Sequence, residues 1–413
     1  MRFIIAGFLL TVLFMSSCKT VNEMTVKNLA WLYSDDNQIN IQCVTVNLND
    51  TVSRAFLAIE SGKADVSALK TDTSGYGLRL KYILYKSWNN AAIADSGTVT
   101  YDFPFHRDLS VPLRTEFSFR AATGQDYLLL IRVLDKQTKI ETTLIRDVLK
   151  KNSRTAGWYL LTGSNGDPLA TWYLTNSEPV NIQYFGPSRD VFAVSGYGHI
   201  FPPALPPFAT ELRQPFDYVA DTNFFISGDG GTLINQAFHN RGLFLMQSDT
   251  AHTDGLTIRR FYDGYPSVNT PAQMVEAVRY ITSNKEFDQL LSSADTKAAI
   301  DSFWIATGGN VSRGVELIRK YYGRVEEANR YFTSFCEGWK TDRGMIYIVF
   351  GPPNIVYRNG SQVEWIYGEA RNYRSVHFHF FKADNPFSEN DYVLQRQPNY
   401  KEFWYMAVQQ WRR

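Results

Sequence analysis

Hydrophobic and polar residues between Val26 and Val148 alternate in short runs at 29–33, 39–48, 54–60, 78–85, 98–103, 116–119, 127–134 and 140–148, with polar turns between them. A period of two with no helical spacing in between predicts antiparallel strands. Their recurrence at roughly 8 to 12 residue intervals predicts a β-sandwich of immunoglobulin-like type over residues 26–150. Along 39–48 the two faces differ only weakly in polarity, which suits a strand covered on both sides. The polar stretch 150–155 reads as a linker into a second β-rich domain at 156–266, with runs at 158–162, 170–174, 181–185, 191–195, 243–247 and 257–262.

Residues 191–210 carry no formal charge, but Pro202, Pro203, Pro206 and Pro207 rule out a membrane helix there, because each removes a backbone donor. Residues 201–208 are expected to be an extended strip. It is either a ligand for a partner or, preferred, a stiff connection across one end of the sandwich. After Tyr265 the period changes to 3.6. Thr270 before Pro271 is a helix start followed by the stripe Met274, Val275, Val278 and Ile281. Ser283 and Glu286 form a capping-box pair, and 295–306 is a further helix burying Ile300, Phe303 and Trp304. The longest helix is expected at about 311–335, with Val315, Ile318, Tyr322, Val325, Phe332 and Phe335 on its apolar face and Gly338 as its stop. Strands at 345–350, 355–357, 363–367, 376–381 and 392–395 follow, with a hairpin at Asn359-Gly360 and a final helix at 402–413. The fold class is therefore mainly β with a C-terminal α+β part: tandem antiparallel sandwiches, then a helical segment and a small antiparallel sheet over 270–413.

The first residues change the picture of where the chain works. Arg2, an uncharged apolar run at 3–15, the small residue Ser17 and then Cys18 resemble a bacterial lipoprotein signal, although Met15 stands where that pattern prefers Leu. The apolar run is shorter than the roughly 20 residues a spanning helix needs. The resemblance implies removal of residues 1–17, lipidation of Cys18, a tether at 18–25, and a membrane link through the acyl chains. Sequence leaves open whether the protein faces the periplasm or the cell surface. The formal charge of +1 falls to zero without Arg2, so the chain has no electrostatic footprint for nucleic acid and no polybasic patch for lipid. Cys43 and Cys336 lie far apart in the chain, and two buried free thiols are expected in preference to a disulfide. Aromatic residues at 15% suit sandwich cores and sugar-stacking surfaces equally.

Gly338-Trp339-Lys340-Thr341-Asp342-Arg343-Gly344, leading into 345–353, carries a second resemblance. Together with Phe303-Trp304, the string 322–329, and Glu364-Trp365-Ile366-Tyr367, it resembles the GWxTD domain family of bacterial envelope proteins of the Bacteroidetes-type lineage, over about residues 270–395. The resemblance implies an envelope address at the outer membrane and envelope protein partners, but no catalytic residues. On physical grounds the motif predicts a rigid helix-to-strand corner in which Trp339 fills the gap between helix and sheet and Asp342 and Arg343 pair or cap. That structural role is preferred to a binding site.

No nucleophile elbow, H-E-x-x-H or phosphate-binding loop is present, and Gly228-Asp229-Gly230-Gly231 reads as a turn. His377 and His379 would share one strand face, with Phe378 and Phe380 turned into a core and Glu364 or Asp384 available to complete a metal site. A half-exposed polar face explains the same alternation and is preferred. No cofactor is implied. The preferred reading is a lipid-anchored, non-enzymatic binding or scaffold protein. The alternative is a glycan-binding protein or hydrolase using aromatic platforms and a His/carboxylate centre.

Overall fold

The computed structural model describes residue 25 and residues 27–33, 39–61, 76–103, 112–136, 139–171, 173–198, 201–211, 213, 216 and 218–412. Cys18 and the leader before it lie outside the described residues. The first domain has seven strands: β1 (Ile39–Asn47), β2 (Val52–Ser61), β3 (Tyr76–Ser87), β4 (Asn90–Phe103), β5 (Leu113–Arg120), β6 (Tyr127–Asp135) and β7 (Glu141–Val148). They form two antiparallel sheets, β1-β2-β5 and β4-β3-β6-β7, facing one another. Strand β6 shows why its sequence is apolar almost throughout. Leu129, Ile131 and Val133 fill the sandwich core, while Leu128 and Leu130 turn outward into the core of the C-terminal domain. Each such side chain contributes about 1.5–3 kcal/mol by leaving water. In β1, likewise, Ile41 and Cys43 face the first core, while Val44 and Val46 meet Leu160 of the second domain, so both sides are covered as expected.

The second domain pairs a sheet of β8 (Tyr159–Thr162), β10 (Val180–Tyr184) and β13 (Thr232–Gln236) with one of β9 (Tyr173–Leu174), β11 (Val191–Tyr197), β12 (Thr222–Ser227), β14 (Gly242–Gln247) and β15 (Leu256–Arg260). Strands β12 and β13 are additions to the sequence reading. In β12 nearly every position is exposed, so no inward and outward alternation marks it. The 150–155 stretch is pinned rather than loose. Lys150 is fully buried with its ammonium on the Val52 carbonyl and Ser53 hydroxyl, and the Trp158 indole donates to the Asn152 carbonyl.

The third domain begins with α1 (Pro271–Ala277), α2 (Asn284–Leu291), α3 (Thr296–Gly308) and α4 (Val311–Phe332). Ser283 makes the expected capping box with Glu286, and Thr270, expected as a helix start, makes one with Gln273. Helix α4 ends at Phe332, before Gly338, so Gly338 is not its stop. Its buried stripe runs through Leu317, Tyr321, Val325, Ala328 and Phe332, while Val315 is exposed, which shifts the predicted face by one residue, about 100°, at its start. After a 3-10 turn at Gly338–Lys340, residues Asp342–Phe350 form helix α5 where a strand was expected. Strands β16 (Ile355–Arg358), β17 (Gln362–Tyr367), β18 (Val376–Lys382) and β19 (Tyr392–Leu394) make one antiparallel sheet, and α6 (Tyr400–Trp411) closes the fold. Neither Asn359 nor Gly360 adopts positive φ; the turn is instead held by Asn359 Oδ1, which accepts from the amides of Ser361 and Gln362.

One correction crosses domain boundaries. Residues 29–33, expected as a first-domain strand, include a 3-10 turn at Ala30–Tyr33 and lie on the third domain. The Leu29 amide donates to the Val356 carbonyl, and the Tyr33 ring sits among Tyr331, Phe332, Tyr347 and Trp365. Among the described residues no helix is long and apolar enough to cross a membrane.

Candidate functional site

Two glycines set the geometry of the motif corner. A Cβ on Gly338 would lie 2.1 Å from the Ala328 carbonyl oxygen, and one on Gly344 would lie 2.0 Å from the Gly338 carbonyl oxygen. Backbone therefore touches backbone between α4, the 3-10 turn and α5, and only glycine fits at either place. The corner is helix to helix, not helix to strand.

Around those contacts the polar side chains of the motif bond within the protein, although the buried Arg343 Nε has no partner. The Thr341 hydroxyl donates to the Gly338 carbonyl and accepts from the Gly344 amide, capping α5. Trp339 is buried; its amide donates to Asn329 Oδ1, its carbonyl accepts from the Tyr280 hydroxyl, and the two rings meet edge to face at 6.0 Å. Its bonding partners lie on α4 and the turn after α1, and it belongs to the apolar core that also holds Trp365, Phe378 and Phe380 of the sheet. Asp342 and Arg343 do not pair with each other. Asp342 accepts from the Leu394 amide at 2.8 Å and from the Arg396 guanidinium, while Arg343 donates to the Asn390 carbonyl and side-chain oxygen. The Arg343 guanidinium lies 4.2 Å from the Tyr392 ring and 5.2 Å from that of Phe332, and burial pulls its pKa down. Trp365 is fully buried in the same core. Asn329, the end of the 322–329 string, completes this network with Tyr280, Asn390 and Arg396, which are scattered along the chain with no spacing that would have singled them out.

The histidine face is formed as expected. Phe378 and Phe380 are fully buried, and His377 and His379 lie half-buried on the other side of β18 with rings 6.5 Å apart. Glu364 on β17 reaches both, 2.9 Å from His377 Nδ1 and 3.9 Å from His379 Nε2. Asp384 is not there; it lines a separate cleft. Among the described residues no His, Cys, Asp or Glu group of three is arranged to hold a metal ion. Cys43 and Cys336 are buried free thiols, as expected.

That cleft, of about 490 Å³, lies where the three domains meet and was not legible in the sequence. Arg146 comes from the first domain, Arg259 from the second, and Arg330 and Arg358 from the third. Arg358 pairs with Asp147 at 3.0 Å. Arg146 and Arg259 are satisfied by carbonyls instead: Arg146 by those of Cys43 and Ile145, Arg259 by those of Ser334, Thr257 and Phe387. Burial lowers the pKa of both, that of Arg259 to about 10. The cleft is therefore lined by both signs of charge: these four arginines and Lys151 face the carboxylates of Asp147, Asp254, Asp384 and Glu389, which leaves an excess of a single positive charge for an acidic molecule to meet.

Residues 242–413 match the family model of the GWxTD domain. The match starts at β14, well before the helical segment at 270 from which the resemblance was drawn. The packing explains why: Leu243 and Leu245 join Phe335, Cys336 and Phe387, while Phe244 and Met246 of the same strand fill the second sandwich. No curated protein matches the chain.

Proposed function

We propose that this chain, with its GWxTD domain over residues 242–413, is a bacterial lipoprotein anchored through Cys18 at the outer membrane, where it binds or scaffolds envelope partners without catalysing a reaction. The observation that carries this reading is the state of the motif. Thr341, Asp342 and Arg343 are committed to capping, to an ion pair and to oxygens of Asn390 inside the protein, and the groups left without a partner, Arg343 Nε and Arg396 Nε, are buried. Apolar clusters joining all three domains add support, because a scaffold benefits from fixed spacing between its surfaces. The test is fractionation and mild crosslinking of the intact molecule. The wild type is expected with membranes and a defined set of envelope partners, and Cys18→Ala in the soluble fraction. Retention of Cys18→Ala in membranes removes the anchor; turnover of a substrate by the purified body removes the scaffold.

The cleft favours a second reading, in which the body binds an anionic glycan or other acidic small molecule among Arg146, Arg259 and Arg330. Calorimetry with acidic oligosaccharides tests it. Arg146→Ala should weaken any binding about tenfold or more, as expected for loss of a charge-assisted contact.

A further inference from the structure

Asn354, at the start of β16, carries two attachments. Its carbonyl accepts from the Asn28 side chain at 3.0 Å, and its own side-chain oxygen accepts from the Gly368 amide at 2.8 Å. Asn28 returns a second bond by accepting from the Val356 amide, and Leu29 beside it is fully buried. The N-terminal segment is thus fixed to the third domain at the root of the loop joining β17 to β18. Only nine positions separate Lys27 from Cys18, a span of at most about 30 Å even when fully extended.

The loop itself is built to hold its tip outward. The Ser375 hydroxyl bridges it, accepting from the Glu369 amide and donating to the Glu369 carbonyl, each at 2.8 Å; the Ser375 amide bonds the Asn372 carbonyl at 3.0 Å. On that frame Tyr373 is 87% exposed, the largest value for a large apolar or aromatic side chain among the described residues. Arg374 donates to the Tyr373 hydroxyl at 3.0 Å, and its guanidinium lies 5.4 Å from the ring. Arg371 is exposed beside them, and Glu369 is the loop's one carboxylate, so the loop has a net positive charge. An aromatic ring with a polar tip flanked by arginines matches the chemistry of a lipid headgroup layer, where the ring sits at the interface and guanidinium groups pair with phosphate.

We infer that the loop at 368–375 rests on the membrane in which Cys18 is anchored, as a second contact that fixes how the body stands on the bilayer. The inference depends on the lipid-anchor reading. It places the third domain nearest the lipid even though the first sandwich follows the tether in sequence.

The test uses the full acylated chain carrying Tyr373→Cys. Cys43 and Cys336 are buried, so a fluorescent label attaches at position 373. The protein is reconstituted in phosphatidylethanolamine and phosphatidylglycerol vesicles containing headgroup-nitroxide lipid. Several-fold quenching relative to vesicles without nitroxide is expected, and exchange of both arginines (Arg371→Glu with Arg374→Glu) should remove most of it. A chain that floats with the vesicles but shows no quenching overturns this inference and leaves the anchor intact. Quenching that is unchanged by the charge reversal overturns the part assigned to the arginines. Failure to float overturns the anchor reading itself.

Discussion

Arg396 grips both carboxylate oxygens of Asp342, 2.5 Å from Oδ1 and 3.2 Å from Oδ2, and the same guanidinium donates to the Leu205 carbonyl. This fork ties the first turn of α5 to the end of the sheet and to the proline-rich strip, which also bonds the Lys340 carbonyl through the Ala204 amide. The strip, expected as a stiff connection across one end of the sandwich, instead bonds to the motif corner of the third domain.

Removing one member of this pair leaves the other charge buried, and such losses run to about 3–5 kcal/mol. Asp342→Asn is expected to lower the unfolding free energy from urea titration by an amount in that range. Combining it with Arg396→Met should cost clearly less than the two single changes added together. Strict additivity in urea titrations would show that the fork carries no coupling.

The two kinds of glycine in the third domain should respond in opposite directions. Gly338→Ala drives a Cβ into the Ala328 carbonyl and is expected to cost about 3 kcal/mol or more. Gly323→Ala, in the middle of α4 with open space around it, should raise stability by about 1 kcal/mol through helix propensity. Thermal melts of the pair check this, and equal effects would mean that the close approach at Gly338 is absent.

Arg412 at the end of α6 donates to both oxygens of Glu286, which also caps Ser283; the arginine above all holds the Glu286 pKa down to about 2, against an ordinary 4.5. Because the folded value is the lower one, the contribution is complete above pH 4.5 and is lost as pH falls through about 2. The melting-temperature gap between wild type and Arg412→Ala should shrink across that window. A gap constant from pH 5 to pH 2 would remove Glu286 as the titrating group.

Periodicity revealed what depends on one exposed and one buried face. The first sandwich, the capped helices and the His377/Phe378/His379/Phe380 alternation were legible because water on one side leaves a polar residue at every second or third position. Met345-Ile346-Tyr347-Ile348-Val349-Phe350 was misread for the complementary reason. It is buried on all sides, so it has no period, and its β-branched and aromatic residues favour a strand. Thr341, capping through the Gly344 amide, and the glycine contacts beneath decide for a helix. Strand β12 failed in the opposite way, being exposed along almost its whole length.

The sequence by itself determined the class of fold, the order of its parts, the helix starts and the burial of both internal thiols, because these follow from neighbouring residues and their contact with water. Tertiary structure alone decided that residues 29–33 belong to the third domain, that β14 serves two cores, that Asp342 meets Arg396, and that four arginines from three domains line one cleft. Those pairings join positions tens to hundreds of residues apart, and only the packing of the three domains brings them within a few ångströms.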